Sequence, residues 1–168
     1  MHMPVNISSG KELLKRAIKG EYDGLRFYTY LTEKTVNADA RNKLSGLASD
    51  EKRHVAILET MFKQLYKEEV GELPKEGINA LAKFFDGSKA KDKHTEMQFI
   101  DLAIEAELAA TKFYRSTADT VAEPELKKLY QELADEEFRH YESLQAEKSA
   151  LGGNYFWFGY GESSPMEE

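Results

Sequence analysis

Residues 47–58 read LASDEKRHVAIL and residues 133–144 read LADEEFRHYESL. Shifted by 86 positions, so that 47 meets 133, Leu47, Ala48, Glu51, Arg53, His54 and Leu58 fall on Leu133, Ala134, Glu137, Arg139, His140 and Leu144. Both stretches step their apolar residues by three and four, the spacing of one helix face, and both put a glutamate and a histidine on that face. Upstream, Ala17, Ile18, Glu21, Phe27 and Tyr28 meet Ala103, Ile104, Glu107, Phe113 and Tyr114 at the same shift. Chance likeness between amphipathic helices accounts for shared Leu and Ala but not for shared Glu, Tyr, Arg and His.

The chain is therefore read as two related helical hairpins. The first helix is expected from Ser9, as N-cap, to about Lys34, with Leu14, Ala17, Glu21, Leu25 and Tyr28 facing inward. The second runs from Asn37 or Asp39 to Tyr66, with Leu44, Leu47, Glu51, His54, Leu58, Met61 and Leu65 inward. Gly71, Pro74, Gly77 and Gly87 mark residues 67–93 as a long connection, within which INALAKFF is predicted to form two helical turns. The third helix, from about His94 to Thr120, turns Ile100, Ala103, Glu107, Ala110, Tyr114 and Thr117 inward. The fourth starts at Pro124 and presents Leu126, Leu133, Glu137, His140 and Leu144 before Gly152-Gly153 ends it. Short turns within hairpins and one long link between helices 2 and 3 describe an all-α four-helix bundle with a single crossover. Residues 1–150 make this one bundle, and 151–168 form a tail that opens aromatic, with Tyr155, Phe156, Trp157, Phe158 and Tyr160 expected to cap the bundle or enter a partner subunit.

Composition removes several classes of function. With 23 basic against 30 acidic residues, a net charge of -7 repels nucleic acid and anionic membrane surfaces. No apolar run is long enough to span a bilayer and the N-terminal residues lack a signal-peptide core, so a cytoplasmic location is expected. The absence of cysteine excludes thiolate metal sites and iron–sulfur centres in these residues. Any metal must be held by His and carboxylate.

Four glutamates on apolar stripes cannot share a core as bare anions. Each would cost several kcal/mol, of order the penalty for burying unpaired charge, or would take up a proton. Two divalent cations cancel roughly four negative charges, and neutral imidazoles complete the coordination. One Glu from each of two helices plus Glu-x-x-His from each of the other two is the donor set of ferritin-like dinuclear carboxylate proteins.

Glu21, Glu51-x-x-His54, Glu107 and Glu137-x-x-His140 accordingly resemble the full motif of the ferritin-like di-iron carboxylate superfamily, in the style of rubrerythrin and bacterioferritin, over about residues 10–150. The resemblance implies that Glu51 and Glu137 bridge two ions, with Glu21 terminal on the ion held by His54 and Glu107 terminal on the ion held by His140. Two iron ions per chain are expected, or manganese, and the donor set also tolerates zinc or cobalt. Three departures narrow the resemblance. Ala110 stands where rubrerythrins carry an extra glutamate, Lys52 replaces the haem-binding methionine of bacterioferritin, and a rubredoxin centre cannot form without cysteine. No haem is expected, and electrons must come from a separate donor protein.

Tyr28 and Tyr114 each follow a lone glutamate by two turns, and are expected to hydrogen-bond a ligand carboxylate or to mediate electron movement, ordinary aromatic packing being the plainer alternative. Asp50 and Glu136 are placed to accept the free imidazole N–H of the opposite motif's histidine, or to line a solvated edge. Arg53 and Arg139 are given no site role, and His2 and His94 are expected in solvent. Gly20 and Gly24 flank Glu21, and Gly24 matches Ala110, which leaves either a void through which dioxygen or hydrogen peroxide reaches the metals or a close helix approach. Three functions stay open: a rubrerythrin-like oxidoreductase acting on peroxide or dioxygen, an iron-oxidising storage subunit, and a non-catalytic metal-binding bundle. A homodimer or larger homo-oligomer is expected.

Overall fold

In the computed structural model, which describes residues 7–85, 95–152 and 155–158, both repeats fold as helical hairpins. They comprise α1 (Ile7–Lys34) with α2 (Ala38–Tyr66) and α4 (Glu96–Ala118) with α5 (Pro124–Ala150), joined by a crossover holding the short α3 (Leu81–Phe84). Backbones lie close within each hairpin and further apart between hairpins, so facing side chains fill the middle. The architecture is an all-α ferritin-like four-helix bundle with one crossover. Among the described residues no helix is long and apolar enough to cross a membrane.

Local chemistry sets the helix ends. The Asn37 side chain accepts from Ala40 N and caps α2, while Thr95 and Gln98 form a reciprocal capping box that starts α4. Pro124 supplies a helical φ without a wasted N–H at the start of α5. Four boundaries depart from expectation: α1 begins two residues before Ser9, α4 begins two residues after His94 and ends two before Thr120, and INALAKFF yields one helical turn instead of two. His2, Gly87, His94, Gly153 and Tyr160 lie outside the described residues.

Most of the expected inward positions are buried, with three exceptions. Leu25, Met61 and Leu65 are half-buried at the stripe edges, and Gly24 and Phe62 face inward instead. An ideal helix advances 100° per residue, so a strict alternation of three and four drifts off the core over several turns. The apolar core falls into two halves: Phe27, Leu31, Leu44, Phe99 and Ile100 near the α1–α2 turn, and Leu14, Ile18, Leu58, Phe62 and Leu133 at the opposite end. All six predicted Glu and His positions lie buried between these halves.

The aromatic part of the tail joins the first half. Trp157 O accepts from Val36 N at 2.8 Å and Asn37 N at 3.2 Å, closing the α1–α2 turn. Phe158 N donates to the buried Glu96 at 2.7 Å, and Tyr155 OH and Trp157 Nε1 donate to Glu147 Oε2 at 2.8 and 3.2 Å. Gly152, at φ 112°, makes the reversal that an L side chain would resist.

Candidate metal centre

The sequence put Glu21, Glu51 with His54, Glu107, and Glu137 with His140 on four different helices, and the fold brings all six together. One ligand atom from each of Glu21, Glu51, His54 and Glu137 lies within 4.8 Å of the others, and the same holds for Glu51, Glu107, Glu137 and His140. Glu51 and Glu137 belong to both groups. The two imidazole rings stack at 6.0 Å between centroids.

Each histidine turns Nδ1 inward. His54 Nδ1 lies 3.0 Å from Glu137 Oε1 and 3.3 Å from Glu21 Oε2, and His140 Nδ1 lies 3.1 Å from Glu137 Oε2 and 3.6 Å from Glu51 Oε1. Outward, His54 Nε2 meets Glu136 Oε2 at 2.8 Å and His140 Nε2 meets Asp50 Oδ2 at 3.0 Å. This is the cross-motif pairing expected of Asp50 and Glu136, and it leaves Nδ1 as the nitrogen available to a cation when the imidazole is neutral. Arg53, given no role from sequence, forms an ion pair with Glu136 and lies 3.7 Å from Asp50. It balances the acid behind His54.

Tyr28 donates its hydroxyl to Glu107, and Tyr114 donates to Glu21. Each lone glutamate is thus held by a phenol from the other hairpin. Burial and the neighbouring carboxylates push both phenols well above their usual range, so they remain O–H donors at neutral pH.

Two carboxylate oxygens at the centre, Glu51 Oε1 and Glu137 Oε1, are buried without a hydrogen bond of acceptable geometry. Buried oxygens left this way are costly unless something else satisfies them. In the absence of a cation the cluster is balanced by protons. Burial, then the charges of Glu137 and Glu21, raises Glu51 well above the carboxylate range, and burial with Glu21 and Glu107 does the same to Glu137. Burial opposes the charge on both imidazoles, but the surrounding carboxylates overcome it and hold His54 and His140 at about 11. Burial likewise opposes the Glu21 carboxylate, and hydrogen bonds from Glu51, His54 and Tyr114 bring it down to about 2. Cations replace protons in such a cluster with little rearrangement, because four oxygen donors and two nitrogen donors already converge. The donor set fits metal.

Of the two alternatives, void or close approach, the space beside the lone glutamates is largely filled. Free volume against Glu21, Glu51, Glu107 and Glu137 amounts to about 10 Å³. A Cβ at Gly24 would stand 3.0 Å from Glu51 Oε2 and 3.2 Å from its Cδ, so the space released by this glycine is taken by the Glu51 carboxylate. At Gly20 a Cβ would stand 2.3 Å from Ile78 Cγ1, so the crossover occupies that notch. Ala110 lines the remaining volume, as expected. Sequence reading missed Ile78, whose one available signal was its place beside Gly77 in the apolar part of the crossover.

Comparison with known proteins identifies the family and the fold. The rubrerythrin family profile matches residues 12–148. A hypothetical protein from Pyrococcus furiosus has a similar structure, with TM-score 0.72 and 32% identity over 89% of this chain and 96% of that one. CopM in its Cu(I)-bound form aligns with TM-score 0.65 and 14% identity over 86% of this chain and 98% of CopM, and an Ag-bound form aligns with TM-score 0.64 and 13% identity over the same shares. The likeness to CopM is one of fold alone. No curated protein matches this chain. Because the family profile runs from the second turn of the first helix nearly to the end of the last, and so takes in both halves of the carboxylate–imidazole cluster, the chain belongs to the rubrerythrin family of the ferritin-like di-iron superfamily.

Proposed function

We propose that the protein is a di-iron oxidoreductase that reduces hydrogen peroxide, with electrons from a separate donor protein. The observation that carries this reading is the pair of four-residue donor groups sharing Glu51 and Glu137. Glu51 and Glu137, common to both groups, would each serve both ions, Glu21 and His54 would hold one of them, and Glu107 and His140 would hold the other. Four carboxylates with one imidazole per ion suit iron or manganese. The Cu(I) and Ag ions named for CopM prefer soft sulfur donors, which this cluster lacks, so they are not carried over.

A bound iron pair supplies Lewis acidity and two electrons for cleaving an O–O bond. The protein's own residues manage protons and position. Reduction of peroxide to two waters consumes two electrons and two protons. Burial between two apolar halves keeps bulk water from the cluster, and Tyr28 and Tyr114 hold Glu107 and Glu21 in one orientation through their O–H groups. Asp50 and Glu136 accept the outer imidazole N–H, which keeps each Nδ1 directed inward.

The direct test is to load the protein anaerobically with Fe(II) and mix it with peroxide in a stopped-flow spectrometer. Rapid formation of Fe(III), with about one peroxide consumed per iron pair, is expected, and absence of any oxidation would refute the reading. Tyr114→Phe should retain its metal but oxidise at least ~10-fold more slowly, since a carboxylate released from its donor costs about 1.4 kcal/mol of barrier or more. An unchanged rate would reduce Tyr114 to packing. For Gly24→Ala, the Cβ would press on Glu51, so weaker metal retention on dialysis is expected, with little loss of helix by circular dichroism.

A further inference from the structure

The crossover meets the metal-binding cluster at Ile78. Besides the carboxylates, the small free volume is walled by Tyr28 and by Gly20, Gly24, Ala106 and Ala110, the last four with no side chain longer than a methyl group. Its roof is Ile78, Asn79 and Leu81. At about 10 Å³ the volume is near the least that holds one water molecule.

The backbone on both sides of Ile78 is pinned. Gly77 packs so tightly on α1 that a Cβ there would stand 2.9 Å from Gly20 N, and Arg16 Nη2 donates to Gly77 O at 3.4 Å. Asn79 Oδ1 accepts from Leu81 N at 3.0 Å, and Leu81 is buried in the core. The half-buried Ile78 side chain is left between solvent and the cluster, seated in the notch at Gly20. As a β-branched residue it has few rotamers with which to move aside. On the opposite side, a cavity of about 260 Å³ between α2 and α5 ends on His140, whose ring stands between that cavity and the carboxylates.

We propose that Ile78 is the residue that sets the size of reactant admitted to the cluster, passing dioxygen, hydrogen peroxide and small anions while rejecting hydroperoxides with bulky alkyl groups. The inference rests on reading the cluster as a metal centre that meets small oxygen species. Shortening Ile78 lengthens the free volume outward without touching a carboxylate or imidazole.

The test compares wild type with Ile78→Ala, Ile78→Val and Ile78→Phe, each checked for folding by thermal melt. Two quantities are measured: the association rate of azide with the Fe(III)-loaded protein, and the ratio of Fe(II) oxidation rates with tert-butyl hydroperoxide and hydrogen peroxide. In Ile78→Ala the ratio should rise at least ~10-fold and azide should bind faster, with Ile78→Val intermediate and Ile78→Phe slower than wild type, in line with the discrimination a few methylenes provide. Ratios and azide rates within about two-fold of wild type in the folded variants would overturn the proposal, being well short of that discrimination. If wild type reacts with neither peroxide while azide still binds faster in Ile78→Ala, the peroxide reading fails and the size limit stands.

Discussion

Replacing Glu51 or Glu137 by alanine should abolish loading of both ions, whereas His54→Ala or His140→Ala should weaken mainly one. The reason is geometric: Glu51 and Glu137 each belong to both donor groups, while each histidine belongs to one. Removing a shared carboxylate takes a donor from both positions and leaves less negative charge against two cations. In the metal-free state the same substitution should do the reverse. Glu51 and Glu137 are buried beside other carboxylates with an oxygen unsatisfied, so Glu51→Ala removes a costly group, and the metal-free variant should melt at or above the temperature of metal-free wild type. Metal content by plasma emission spectroscopy, with melts before and after chelation, measures both effects. A Glu51 or Glu137 variant that keeps both ions at wild-type affinity would contradict the shared-ligand assignment.

The second large effect is a pH dependence that separates loaded from metal-free protein. His54 and His140 stand at about 11 in the fold against an ordinary 6.5, and Glu51 and Glu137 stand well above 4.5. The folded state therefore binds protons that the unfolded chain releases, and the stability these groups contribute is full below their unfolded values and lost as pH rises through the folded ones. Glu21, lowered to about 2, has the opposite sign, but its window lies between about 2 and 4.5. Between about pH 6 and 9 the metal-free protein should accordingly lose stability with rising pH. Metal reverses the trend, because cations take the places of those protons and bind more tightly as protons become scarce. At free metal about 1,000-fold above the dissociation constant, binding adds roughly 4 kcal/mol per ion, which raises the melting temperature of a chain this size by about 10 °C. Melts with and without chelator should diverge as pH increases. Coincident curves across that range would exclude a buried metal centre.

The parts of this site that sequence reading recovers are those with periodic constraint. Glu51 and His54 recur as Glu137 and His140 on a helical face, so register alone carries them to the centre of the bundle. Tyr28 and Tyr114 follow from the same periodicity, but their partners do not: each reaches the glutamate of the opposite hairpin, a relation set by helix packing. Gly24 shows a different limit. A missing side chain is equally a void or room for a neighbour, and the neighbour is Glu51, on another helix. Ile78 and the tail acids are less visible still. Glu96 and Glu147 read as ordinary charged helix positions, yet both are buried, with Phe158 N donating to the first and Lys43, Tyr155 OH and Trp157 Nε1 to the second. Non-periodic segments depend on where the chain returns, which no local pattern specifies.

The central claim is most directly tested by anomalous diffraction from crystals of the Fe(II)-loaded protein at the iron absorption edge. Two peaks are predicted, one beside His54 Nδ1 and Glu21, the other beside His140 Nδ1 and Glu107, with Glu51 and Glu137 in contact with both. A single peak, or peaks lying away from these six residues, would contradict the account.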